Sequence, residues 1–198
     1  MMQNSDIYQD RYLKHQARKK DSLMSNWGTE YKKYKISHRA KLLELIESRR
    51  SQRIFNRDPI VDDEINTILD AIDKVPSSCD RQGITYIVYN TRDAKDLLGG
   101  LLVGGVGWVQ RADMIILLFA DMQSYKNPAE RSNMPFLDAG VVVQQTYLIA
   151  EALNIGCCFV NPNIRDGNKK FFNKKFNQSE HLFCGALALG KYDKKAYK

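Results

Sequence analysis

Three arginines and a serine fall within five residues, in the run Arg49-Arg50-Ser51-Gln52-Arg53. A guanidinium presents paired N–H groups whose spacing matches two phosphate oxygens, and a phosphomonoester supplies negative charge to balance. The chemistry on offer is the holding of an anion. The run follows a stretch of helical periodicity and so lies at a helix C-terminus, where the macrodipole favours cations over anions. An anion there has to be held by side chains and not by helix N–H groups. The same arginines could instead cap that helix and pair with Glu44 or Glu47, and the cluster taken alone leaves both readings open.

A second polar run, Pro76-Ser77-Ser78-Cys79-Asp80-Arg81-Gln82, sits between a helical and an extended segment. Loops at such junctions commonly carry ligand contacts. Its hydroxyls, carboxylate and amide could meet the hydroxyls or the polar ring edge of a ligand, or they could form an ordinary turn. The four cysteines, at 79, 157, 158 and 184, show no C-x-x-C spacing and no paired histidines. They read as buried small side chains, and no metal site is expected. His15, His38 and His181 are scattered and read as surface or capping residues.

The elements that must carry these groups follow from periodicity. A helix from Ser37 or His38 to Ser48 has Leu42, Leu43, Leu45 and Ile46 on its apolar face. Asp62 or Asp63 is expected to cap a second helix built on Ile65, Ile68, Leu69 and Ile72. Ile84–Tyr89 and Met114–Ala120 read as strands, the latter buried on both faces. Asp93–Leu98 suits a short helix, and the five glycines within 99–107 suit a flexible loop. A helix over 139–153 is apolar nearly all round, as in a core or a dimer interface, and Asn154-Ile155-Gly156 stops it. Strands at 157–160 and 183–189 flank a lysine-rich helix at 169–176. Strands and helices alternate, so the class is α/β or α+β with a central sheet.

The chain has 198 residues, 43% of them hydrophobic, and a net charge of +7. That charge sits at the ends. Residues 1–40 carry nine Lys/Arg against four Asp/Glu, 191–198 carry four against one, and the middle carries 17 against 18. The domain itself is not basic, so no nucleic-acid groove is expected. No apolar run is long enough to span a membrane and the N-terminus lacks a signal peptide, so the expected location is cytoplasmic. Residues 1–38 read as a polar, basic arm, and 39–198 as the functional domain.

The polar clusters gain meaning from their order. Arg-Arg-Ser-x-Arg follows one helix, and Pro-Ser-Ser-Cys-x-x-Gln follows the next. Leu137-Asp138-Ala139-Gly140 opens a buried helix that closes in Glu151-Ala152-Leu153-Asn154-Ile155-Gly156, and a late strand ends in Ala188-Leu189-Gly190-Lys191-Tyr192. This series resembles the FMN-dependent nitroreductase family across residues 40–192. The resemblance implies an α+β, three-layer α/β/α fold with a mostly antiparallel sheet. It also implies a homodimer with FMN at the interface and hydride transfer through flavin N5. NADH or NADPH would be the donor, and a nitro, quinone or enone compound the acceptor.

By that resemblance, Arg49, Arg50, Ser51 and Arg53 hold the phosphate and ribityl chain. Pro76, Ser77 and Ser78, with Asp80 and Gln82, form the loop that reaches the partner's flavin. Val160 or Asn161 supplies the N–H facing N5, and Lys191, Lys194 or Lys195 stands beside the phosphate. This sequence departs from the family in having Asp80 for the usual Asn and Asn161-Pro162 for glycines. It also has only about 17 residues between Ala120 and Asp138, too few for a lid. The arm is expected to lie over the partner subunit in compensation. Other implied readings are a flavin-dependent biosynthetic dehydrogenase or a degenerate binding domain.

Overall fold

A computed structural model describes residues 29–177 and 179–193, with side chains from Ser37 onward. The first 28 residues of the expected arm, with His15, and Lys194 and Lys195 lie outside the described residues. The chain divides between Glu47 and Ser48 into two compact units. The boundary expected at 38/39 therefore falls inside helix α1 (Thr29–Ser48). Leu42, Leu43 and Ile46 of α1 are about half exposed, at 50%, 47% and 48%.

The second unit is built on a four-stranded sheet of order β1-β2-β4-β3, antiparallel at every pairing. Its strands are β1 (Ile84–Tyr89), β2 (Met114–Asp121), β3 (Ile155–Val160) and β4 (His181–Lys191). Strand β2 is covered on both faces. Met114, Ile116, Leu118 and Ala120 join one core, while Ile115, Leu117 and Phe119 join the other. That period of two is what a pleated strand gives, and burying each Ile or Leu contributes about 2 kcal/mol.

Helices α2 (Asp62–Asp73) and α4 (Pro128–Ala152) cover the first face, while α3 (Arg92–Leu101) and α5 (Lys169–Lys175) cover the second. The architecture is the expected three-layer α+β fold. The Gln145 side chain donates to the Ala71 carbonyl at 2.6 Å and fastens α4 to α2. In β4 the alternation slips at Gly185, where φ is +122° and the pairing with β2 shifts register. Cys184 and Ala186 thereby face opposite cores, and glycine is the residue that takes this backbone shape without strain.

Several local expectations change. Helix α2 is not capped by Asp62 or Asp63: Val61 holds that position, and its N–H donates to Glu64 Oε2 at 3.1 Å. Gly99 and Gly100 belong to α3, so the glycine-rich stretch begins inside a helix, and only its later part, from Leu102 to Gly107, is the expected loop, with one short 3-10 turn. Helix α4 begins eleven residues early, at Pro128. Asn127 accepts the Glu130 N–H at 2.9 Å, Pro128 occupies the first turn and Pro135 is carried inside. The supposed linker before Asp138 is thus mostly helix. Nor is α4 buried all round. Phe136, Leu137 and Val141 stay 46%, 58% and 40% exposed beside an open groove of about 450 Å³.

Candidate functional site

Strand β3 is at the edge of the sheet, and its outer side is closed piece by piece. Ser51 bridges Cys157 in parallel, and the Gln52 N–H donates to the Cys157 carbonyl at 3.0 Å. Two residues on, the Phe159 N–H donates to the Tyr147 hydroxyl at 2.8 Å. Odd-numbered residues of β3 therefore point outward and even-numbered ones point to β4, as an antiparallel ladder requires. Val160 obeys this rule, since a Cβ placed on Gly185 of β4 would lie 2.8 Å from its carbonyl. Its N–H is committed inward with the carbonyl. The next outward N–H belongs to Asn161, and among the described residues no acceptor meets it. Pro162 has no N–H to offer.

The arginine run lies along the same edge. The Arg49 guanidinium stacks 5.0 Å from the centre of the Tyr147 ring, and that of Arg53 lies 5.8 Å from the centre of the Trp108 ring. Neither is paired with a carboxylate among the described residues. Arg50 donates back to the Arg49 carbonyl at 2.9 Å. Ser51 Oγ lies 3.1 Å from the Tyr147 hydroxyl. Gln52 is 4% exposed, and its Oε1 has no hydrogen-bond partner. Trp108 is held by its Nε1–H, which donates to the Gly104 carbonyl at 3.1 Å. A Cβ at Gly104 would come within 3.3 Å of Asn161 Oδ1, so the bare glycine lets this loop close on Asn161. Lys191 stands apart from the run. Its ammonium is bound to the Glu64 carboxylate and holds that carboxyl below the usual range.

The serine loop is built differently. It leads into β1, on the opposite side of the four-stranded sheet from the arginine run. Three strand spacings, about 14 Å, separate the two edges. Its polar groups are spent locally. Asp138, 4% exposed, accepts at Oδ1 from the Ser78 N–H (2.9 Å) and hydroxyl (2.8 Å), and at Oδ2 from the Tyr125 hydroxyl (3.0 Å). Ser77 Oγ accepts the Gln82 N–H at 2.8 Å. The Gln82 amide donates to Val75 O at 3.2 Å and to Asp80 Oδ1 at 3.0 Å. Cys79, Asp80 and Gln82 all have φ near +50°, at 53°, 54° and 50°. The loop is thus held in a shape that L-residues adopt at some cost. Arg81 fixes it from outside by donating twice to Glu130, at 3.0 and 3.2 Å. Beside it, a pocket of about 200 Å³ runs in among Ile72, Pro76, Ser77, Gln82 and Asp138.

The structure thus brings Arg49, Ser51, Arg53 and Asn161 to one edge of the sheet. It puts Pro76, Ser77, Ser78, Asp80 and Gln82 at the other. One residue that the sequence did not point to, Tyr147, joins the first group, and Gly104 of the glycine-rich stretch lies beside it. Burial pushes the Cys157 and Cys158 thiols up and Cys184 up to about 12, so these three remain protonated and inert. Among the described residues no group of His, Cys, Asp or Glu is arranged to hold a metal ion. No helix among them is long and apolar enough to cross a membrane.

The chain belongs to the nitroreductase family, whose model matches residues 46–106 and 100–191. It is 24% identical over 129 residues to the FMN reductase [NAD(P)H] of Bacillus subtilis, covering 58% of this chain and 51% of that protein. The chain therefore matches about half the length of this curated relative. A Desulfovibrio desulfuricans protein assigned as a nitroreductase and solved in complex with FMN is 26% identical. Its TM-score is 0.66, with 77% of this chain and 87% of that one covered. A nitroreductase family protein from Clostridium novyi shares the fold at 17% identity and a TM-score of 0.66, over 79% of this chain and 88% of that one.

Proposed function

We propose that this chain is an FMN-dependent NAD(P)H oxidoreductase acting on a small organic acceptor of the nitro, quinone or enone type. The observation that carries the reading is the outer edge of β3. There, two guanidiniums without carboxylate partners among the described residues, a serine hydroxyl and a backbone N–H that none of them accepts line up on one side of the sheet. That donor set fits a ligand with a phosphate at one end and a hydrogen-bond acceptor at the other. The orphaned Gln52 Oε1 adds an acceptor suited to a ligand hydroxyl. Arg49, Ser51 and Arg53 would hold the phosphate, and the Asn161 N–H would face the ring. Lys191 is not assigned to the phosphate, because its charge is balanced by Glu64.

When bound, the flavin supplies hydride acceptance and donation, so the protein's part is orientation and electrostatics. No side-chain acid or base is assigned to that step. The names of the Bacillus and Desulfovibrio relatives support the same cofactor.

The two polar clusters lie on opposite edges, so one chain does not bring both to a single ligand. We therefore propose a homodimer that packs through the exposed face of α4 around Phe136, Leu137 and Val141. In it, Ser77 and Ser78 of each protomer would serve the partner's cofactor.

The test is reconstitution of the purified chain with FMN, followed by anaerobic titration with NADH and NADPH. Binding and bleaching, then reoxidation by a nitroaromatic, a quinone or an enone, is the expected result. A colourless protein that takes up no FMN would overturn the reading. A yellow protein that neither nicotinamide reduces would point to a flavin-dependent biosynthetic dehydrogenase.

A further inference from the structure

Tyr147 occupies a core position on α4 at 8% exposure, where a leucine would fill the same space. Its hydroxyl nevertheless makes polar contacts that have nothing to do with its own helix. It accepts the outward N–H of Phe159, and it lies 3.1 Å from Ser51 Oγ. The Phe159 amide has to donate, so it takes one lone pair of the phenol, and the phenol shares a second hydrogen bond with Ser51 Oγ, with the Cys158 thiol beside both hydroxyls. Burial pushes the phenol's pKa up. The face of the same ring carries the Arg49 guanidinium, 5.0 Å from its centre, a cation–π contact that holds it beside Ser51.

We propose that Tyr147 is the positioning residue of the phosphate site. It holds the Ser51 hydroxyl in place and seats the Arg49 guanidinium beside it, and so makes the chain select FMN over riboflavin. This rests on the reading that the arginine run holds the FMN phosphate.

The experiment measures dissociation constants for FMN and for riboflavin by flavin fluorescence, together with melting temperature, in six proteins. These are the wild type, Arg49→Ala/Arg53→Ala, Tyr147→Phe, Tyr147→Leu, Ser51→Ala and Ser51→Ala/Tyr147→Phe. The wild type is expected to prefer FMN by about 100-fold or more, and the double arginine variant to lose that preference. Tyr147→Phe keeps the ring and should weaken FMN about tenfold while leaving riboflavin unchanged. Tyr147→Leu removes ring and hydroxyl together, and should weaken FMN about 30-fold, again sparing riboflavin. It also serves if the Phe variant misfolds. Ser51→Ala should cost no more in the Tyr147→Phe background than either change alone. An equal loss for both flavins, or no loss for FMN in either Tyr147 variant while the arginine variant has lost it, would overturn the proposal. An arginine variant that still prefers FMN would instead overturn the underlying reading of the cluster.

Discussion

The two polar clusters of this fold use similar residue types to opposite ends. Along β3, the donors of Arg49, Arg53 and Asn161 have no acceptor within the chain's described residues. In the serine loop, Ser77, Ser78, Asp80 and Gln82 bond to one another or to Asp138 and Val75. The first region keeps its hydrogen-bonding capacity for something outside the chain. The second spends its capacity on holding a strained shape. The contrast separates groups that bind from groups that hold the backbone where binding can occur.

The sharpest way to break this comparison is to strip the β3 edge. Arg49→Ala/Arg53→Ala should weaken FMN by about 100-fold or more while the melting temperature moves by less than about 2 °C, because neither guanidinium is fully buried or paired with a carboxylate among the described residues. Asp138→Ala should do the reverse. Leaving the Ser78 N–H and the buried Tyr125 hydroxyl without their acceptor is expected to cost about 3 kcal/mol and to lower the melting temperature by roughly 6–12 °C in a calorimetric scan. If the arginine variant melts early or the Asp138 variant melts as the wild type does, the division of labour is wrong.

A charge on the open face of α4 tests whether the two regions meet between protomers. Leu137→Glu with Val141→Glu should shift the protein to monomer in sedimentation and weaken FMN about tenfold through loss of the partner's serine loop. The smallest effect is expected at the Glu64–Lys191 pair. Glu64 has its pKa lowered on folding, so its stabilisation is present above the ordinary carboxylate range and is lost as pH falls through the lowered value. Glu64→Gln should flatten that acid limb, read by denaturant titration at several pH values. Lys191→Met should change FMN affinity by less than about threefold.

The sheet was legible because β2 is so uniformly apolar and β1 so rich in β-branched and aromatic side chains. The arginine run was legible because it is contiguous. The start of α4 was missed because Pro135 reads as a breaker. The better signal was upstream, where Asn127, Pro128 and Glu130 occupy the cap, first and third helical positions. The opposite-edge placement of the serine loop could not be read, since strand order is set by long-range pairing. Tyr147 carried no sequence signal at all. A lone tyrosine in an apolar helix reads as core, and its partners lie 96 and 12 residues away. The slip at Gly185 was hidden for a related reason, because one extra residue in a continuous apolar strand leaves no mark on its composition.

The way β3 is closed has a consequence for what cannot bind there. An edge strand is a ready template for another extended chain, which would add to it bond by bond. Here the outward positions are used in turn, by Gln52 at Cys157 and by the Tyr147 phenol at Phe159, and Pro162 ends the series. The unclaimed donor at Asn161 is too little for a strand to extend along. The edge is closed to polymers and open to a molecule one hydrogen bond wide, so protection against aggregation and selection for a small ligand come from the same few atoms.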